Sequence, residues 1–193
     1  MGTRGLYGFR KNEQDKTTYN HFDSYPEYLG ANVLEFIKKH SIAEMNAFYD
    51  CIVMVDENNM PTDEQKKNCK ENNYIDLSVG SQSENDWNCL LRKVQGDLET
   101  LYKCKYPYMI DNSSFIKDSL FCEYAYIINL DTNALEFYKG FQKEPQNGNR
   151  YGTDKTDGYY PCKLEREISI EQIQSVDNVD EIIAEFMSDE EDE

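Results

Sequence analysis

Apolar side chains change their spacing along this chain, and each change of period predicts an element. Leu6, Tyr7 and Phe9 alternate with small or charged neighbours through Arg4–Arg10. The polar stretch Lys11–Asp15 reads as a turn, and Thr17, Thr18 and Tyr19 favour a second strand, so the chain opens on a hairpin. Asn20–Pro26 ends that strand and enters a loop closed by Gly30. A helix follows from Ala31 to about Lys39, with Val33, Leu34, Phe36 and Ile37 apolar. Ser41 with Glu44 three residues on is a capping box for the next helix, which places Ile42, Met45, Phe48 and Tyr49 on one face. Cys51–Val55 reads as a short strand, and Pro61–Glu64 opens a very polar helix that runs to Glu71.

Ser83–Lys103 carries Trp87, Leu90, Leu91, Val94, Leu98 and Leu101 at helical spacing and predicts one long helix, with Gly96 weakening it slightly. Leu120–Leu130 and Leu135–Tyr138 flank Asp131-Thr132-Asn133 and form a hairpin too apolar for an exposed edge. Residues 142–158 read as a long loop, and Tyr159–Ile168 as a returning strand. Ser169 caps a short helix, and Val179–Met187 forms another with Ile182, Ile183 and Phe186 apolar. The fold class expected is α+β, an antiparallel sheet built from hairpins with helices packed on it, as a single domain over residues 1–187. Residues 188–193 offer nothing to bury and are expected to be a disordered acidic tail.

Composition supports a folded body: 193 residues suit one domain, and 15 Tyr and 9 Phe supply core area that the modest aliphatic content does not. The formal net charge is -17, and every charged residue from Asp177 to Glu193 is acidic. That balance argues against direct nucleic-acid binding, which needs Lys and Arg against phosphates, and favours a basic protein partner. No stretch reaches the ~20 apolar residues of a membrane span. The 6 cysteines form no C-x-x-C pair, and Arg4, Arg10 and Lys11 interrupt any signal-like apolar run, so reduced thiols in a cytoplasm are expected.

The densest polar cluster is Tyr19–Pro26. In an extended strand His21 and Asp23 share a face, where an imidazole and a carboxylate can bind a divalent metal or form a base and its orienter. Cys122 and Glu123 fall on another expected strand and complete a candidate zinc set with His21 and Asp23. The competing reading is local: Asn, Asp and Ser side chains bonding nearby backbone at a strand exit. His40 ends a helix, where the dipole favours a cation. Asp154–Gly158 lacks the glycine of a calcium loop, and no phosphate-loop, zincin or nucleophile-elbow motif occurs.

The opening Met1-Gly2-Thr3-Arg4-Gly5-Leu6-Tyr7, with Tyr19–Glu27 and Leu29-Gly30, resembles a group of uncharacterised bacteriophage and Firmicutes proteins with distant fungal relatives. Phe121–Tyr124 and Ile128–Asp131 extend the resemblance over most of the chain, and it implies no particular activity. In size and acidity the chain also resembles phage anti-CRISPR proteins. That resemblance implies an acidic inhibitor, in the host cytoplasm, of a basic nucleic-acid-handling effector such as a CRISPR effector nuclease, acting by blocking nucleic-acid loading. The acids expected to dock are Asp63, Glu64 and Glu71 on the 62–71 helix, with Asp177, Asp180, Glu181 and Glu185 near the end of the chain. A fainter resemblance, to N-terminal-nucleophile hydrolases of the bile-salt-hydrolase type, implies a hydrolytic centre at Asn20, His21 and Asp23 with Thr3. There the chain departs from the pattern: Gly2 follows Met1, and the first hydroxyl is that of Thr3. No catalytic residue is therefore assigned.

Overall fold

A computed structural model describes residues 2–188; Met1 and residues 189–193, on which most of the expected acidic tail falls, lie outside the described residues. The fold is α+β. Strands β1 (Gly5–Lys11) and β2 (Gln14–Asn20) form the opening hairpin. Its turn residues Asn12 and Glu13 both take positive φ, the conformation that matches a tight hairpin to strand twist. Asp131 accepts both of their backbone N–H groups, at 2.7 and 2.9 Å. A π-helical turn (Pro26–Gly30) leads into α1 (Ala31–Lys39) and α2 (Ile42–Cys51), and Ser41 and Glu44 close the expected capping box. Thr62 and Gln65 form a second box on α3 (Asp63–Asn72). Next come β3 (Val53–Val55) before α3, and β4 (Tyr108–Ile110), β5 (Tyr124–Asn129), β6 (Ala134–Lys139) and β7 (Lys163–Ser169) after it; α6 (Ile170–Ser175) and α7 (Asp180–Met187) close the described chain.

The main sheet runs in the order β2-β1-β5-β6-β7. All its pairings are antiparallel except that of β1 with β5, which lie parallel, so the two hairpins dock side by side rather than continuing a meander. Tyr7, Phe9, Tyr126, Ile128, Leu135 and Phe137 face the helices, where they pack on Leu34, Phe36, Ile37 and Phe186. Leu6, Ala125, Ile127 and Tyr138 fill the other face with Ile116, Cys122 and Cys162, which come from covering loops. Among the described residues no helix is long and apolar enough to cross a membrane.

One expectation needs correction. The long helix over 83–103 is broken into α4 (Trp87–Leu90), a 3-10 turn (Arg92–Val94) and α5 (Leu98–Tyr102), with Asp86 and Asp97 capping the two helical pieces. The break has a tertiary cause. Gly96 takes φ +78, a Cβ there would lie 2.7 Å from Asn20 Oδ1, and its N–H donates to the Tyr7 hydroxyl at 2.7 Å. The segment thus bends to cap the end of the hairpin. An element the sequence pattern does not reveal is β4, which pairs in parallel with β3; its three residues are too few to show a period.

Candidate functional site

The sequence-predicted cluster lies where β2 ends. The strand stops at Asn20 and Asp23 turns to φ 50, so His21 and Asp23 do not share a strand face. Asn20 Nδ2 donates to the Ser24 hydroxyl at 2.9 Å and to the Phe22 carbonyl. Ser24 is buried; its N–H donates to the Thr3 carbonyl at 3.2 Å, and its own carbonyl accepts from the Tyr126 hydroxyl at 3.0 Å. The Asp23 carbonyl accepts from Leu29 N–H at 3.2 Å. These groups build the turn, as the local reading of the cluster requires. Thr3 is only 2% exposed, so its hydroxyl is not presented to a substrate as the hydrolase resemblance would need.

The proposed metal ligands do not converge. Cys122 is fully buried with Cys162 on the loop-covered face, where the Cys162 thiol donates to the Cys122 carbonyl at 3.3 Å. Burial there pushes the Cys122 thiol well up, away from the thiolate a metal needs. Glu123 accepts the Arg4 backbone N–H at 3.2 Å. Among the described residues no three His, Cys, Asp or Glu side chains form a group that could hold a metal ion. Around His21 the local charge also opposes a cation: desolvation, then Arg92, then Arg4 hold the imidazole below its ordinary pKa.

Those two arginines mark a site that sequence reasoning missed. Arg92 lies over the exposed Phe22 ring, 5.4 Å from its centroid, and donates to Gln95 Oε1 at 3.2 Å. Arg4 lies over the Phe121 ring at 5.1 Å. Both act on the Tyr19 hydroxyl as well as on His21, so they stand around one pair of side chains. Tyr19 and His21 are themselves joined, hydroxyl to Nδ1, at 2.7 Å. In the neutral tautomer that carries its proton on Nε2, Nδ1 accepts from the Tyr19 hydroxyl and Nε2–H stays a donor. Neither guanidinium has a carboxylate within ion-pair distance among the described residues, whereas Arg10 meets Asp15 at 2.8 Å and Arg150 meets Glu136.

A cleft of about 280 Å³ opens beside them, between β2, β4 and the 87–95 segment. Tyr19, Asn88, Gln95, Ile110, Asn112 and Phe115 line it, with Glu57 at its rim. Tyr19 and Phe115 meet edge to face at 5.2 Å. Asn112 holds the edge of β2, its Oδ1 accepting Tyr19 N–H at 3.0 Å.

A second polar constellation sits on the loop-covered face of the sheet. Glu136 is 2% exposed and accepts from Arg150 through both oxygens, from Asn129 Nδ2 at 2.8 Å and from the Tyr138 hydroxyl at 3.0 Å. The Tyr151 hydroxyl accepts from Arg150 at 3.0 Å and donates to Asp15 at 2.9 Å. Burial drives the Tyr138 and Tyr151 hydroxyls up, so both stay protonated donors. Each charge in this set has its partner, and the network fixes the 142–158 loop against the sheet. Its one trace in the sequence is Glu136, a lone acid within the apolar run Ala134–Tyr138.

The acidic residues divide into two groups. On α3, Asp63 has Lys66 at 4.0 Å and Glu71 has Lys105 at 3.8 Å, and Lys67 and Lys70 share the helix with Glu64. Around α7, the carboxylates of Asp177, Asp180, Glu181 and Glu185 form no ion pair among the described residues; Asp180 accepts from Asn178 Nδ2 at 2.7 Å. Asp180 and Glu181 lie in the first turn of α7, where the helix dipole favours them. Compared with protein families, curated proteins and solved structures, the chain matches none.

Proposed function

We propose that the chain is a ligand-binding protein whose working site is the Arg4–Arg92 end of the cleft, and that this site holds the anionic group of a small molecule. One observation carries the reading. In a chain with 37 acidic and 20 basic residues, two guanidiniums around the same Tyr19–His21 pair have no carboxylate partner among the described residues. A guanidinium resting on a phenyl ring keeps its N–H groups for an acceptor in the plane of its fork. His21 Nε2–H adds a neutral donor. This donor set matches a phosphate or carboxylate, which charge-assisted bonds hold more strongly than neutral ones. Inorganic phosphate at millimolar concentration should raise the melting temperature of the wild-type chain, and Arg4→Gln with Arg92→Gln should remove the rise. A wild-type melting temperature indifferent to phosphate would reject the reading.

A second reading rests on the unpaired acids around α7, which support docking on a basic protein surface, as an anti-CRISPR-type inhibitor of a nucleic-acid-handling effector would dock. Charge of this kind steers association and makes it salt-sensitive. Reversing Asp180, Glu181 and Glu185 to lysine should abolish capture of such a basic effector, and reversing Asp63, Glu64 and Glu71 should change it little. Equal losses from the two helices would remove this support.

A further inference from the structure

The anion site and the cleft are continuous, because two side chains belong to both. Gln95 receives Arg92 on its Oε1 and lines the cleft; Tyr19 bonds His21 through its hydroxyl, and its ring, packed edge to face on Phe115, lines the cleft. The lining beyond them has a definite hydrogen-bonding pattern. Asn112 Oδ1 already accepts from Tyr19 N–H and from the Thr18 hydroxyl, at 3.0 and 3.3 Å, which leaves its amide nitrogen as a donor. Gln95 Oε1 accepts from His21 N–H at 3.4 Å and from Arg92 at 3.2 Å, which leaves its amide nitrogen as well. Asn88 Nδ2 donates to Glu57 at 3.4 Å, which leaves the Asn88 amide oxygen and the second Glu57 oxygen as acceptors.

We propose that the cleft takes a nitrogen heterocycle carried on the same molecule as the anion, so that the ligand class is a nucleoside monophosphate. The inference rests on the anion-binding reading above. A nucleobase edge presents donors and acceptors side by side, and side-chain amides are the groups that satisfy both. Phe115 and Tyr19, in contact with each other, supply one aromatic patch for a face of the base, and Ile110 an apolar wall. The volume of about 280 Å³ lies at the lower end of small-molecule pockets and suits one base and sugar rather than a dinucleotide. The anion then sits outside the cleft lining, at the arginine that Gln95 ties to it.

Calorimetric titration of the full chain with inorganic phosphate, the common ribonucleosides and their monophosphates tests this. At least one monophosphate should bind about tenfold or more tighter than both its nucleoside and phosphate, the gain expected from one further good charge-assisted contact. Asn88→Leu and Glu57→Gln, both at exposed positions, should reduce that monophosphate to the affinity of phosphate and leave phosphate itself unchanged. Arg4→Gln with Arg92→Gln should reduce it to the affinity of the nucleoside. If phosphate binds as tightly as every monophosphate, the cleft proposal falls and the anion site stands. If nucleosides bind as tightly as their monophosphates, or if no probe binds, both fall.

Discussion

Arg10 and Arg150 lie on the loop-covered face of the sheet and each meets a carboxylate, whereas Arg4 and Arg92 lie at the β2 end and meet phenyl rings. The difference separates two uses of the same side chain. Where a guanidinium is part of a closed set with Glu136, Asp15, Tyr138 and Tyr151, its donors are taken and its removal from water is offset inside the protein. Such a set holds a loop in one place. Where a guanidinium rests on an exposed ring, little structure depends on it and its donors stay available. Paired arginines therefore serve the fold, and unpaired ones are where a ligand is to be sought.

Opening the closed set should cost the protein most. Glu136→Ala leaves Arg150, which is 27% exposed, without its carboxylate, and should lower stability by about 3 kcal/mol, the lower end of the range for a broken buried pair. Urea unfolding measures this, and phosphate should still raise the melting temperature of the variant. A loss under about 1 kcal/mol would mean that the loop is held by packing and that the network contributes little.

Gly96→Ala should act on the other region. The alanine would have to hold φ +78 with its Cβ 2.7 Å from Asn20 Oδ1, at a cost of about 2 kcal/mol. Gln95 adjoins Gly96 in the chain and holds Arg92, so the phosphate-induced thermal shift should shrink as well. Loss of stability with an unchanged shift would separate the bend from the anion site. Arg4→Gln and Arg92→Gln should each lower stability by only about 0.5 kcal/mol, the worth of an exposed cation over a ring, while removing phosphate binding. A loss as large as that of Glu136→Ala would make them structural arginines too.

The parts of the fold that the sequence made legible are those fixed by neighbours in the chain. Ser41 with Glu44 forms the expected box, the apolar stripe of Val33, Leu34, Phe36 and Ile37 gives α1, and Asp131–Asn133 turns β5 into β6. The 83–103 segment has a helical stripe, yet Gly96 breaks it by docking against Asn20, more than seventy positions away in the chain, and no local pattern carries that contact. The parallel pairing of β1 with β5 is equally invisible, since the pattern marks β5 as central but says nothing of which strand lies beside it or which way that strand runs. At the candidate site, Asn20 and Ser24 were legible as turn builders because Asn and Ser bond backbone close by. Arg4 and Arg92 were not, because lacking a carboxylate is a property of where a side chain ends up. The sequence could offer only their sign against an acidic background.

The smallest expected effect distinguishes the two regions by pH. His21, near the unpaired arginines, is held below its ordinary pKa mainly by desolvation, then by Arg92 and Arg4. The unfolded chain then binds more protons than the folded one just below the ordinary histidine value of about 6.5, so stability falls as pH drops through that window. Asp131, near the paired arginines, is also lowered, by the backbone N–H groups of Glu13 and Asn12 and further by Arg10 and Arg150. Its contribution is complete above the ordinary aspartate value of about 3.9 and is lost as pH falls through its lower folded value. Stability followed from neutral to acid pH should show both declines. His21→Gln should remove the first and Asp131→Asn should reduce the second, to which Asp76, Asp86 and Glu99, also held below their ordinary values, contribute. Phosphate supplies the decisive comparison: an anion between Arg4 and Arg92 offsets their repulsion of a protonated His21, raises its pKa in the folded state, and so should flatten the decline near pH 6 while leaving that of Asp131 untouched. If phosphate flattened neither decline, or both alike, no anion would be bound beside His21.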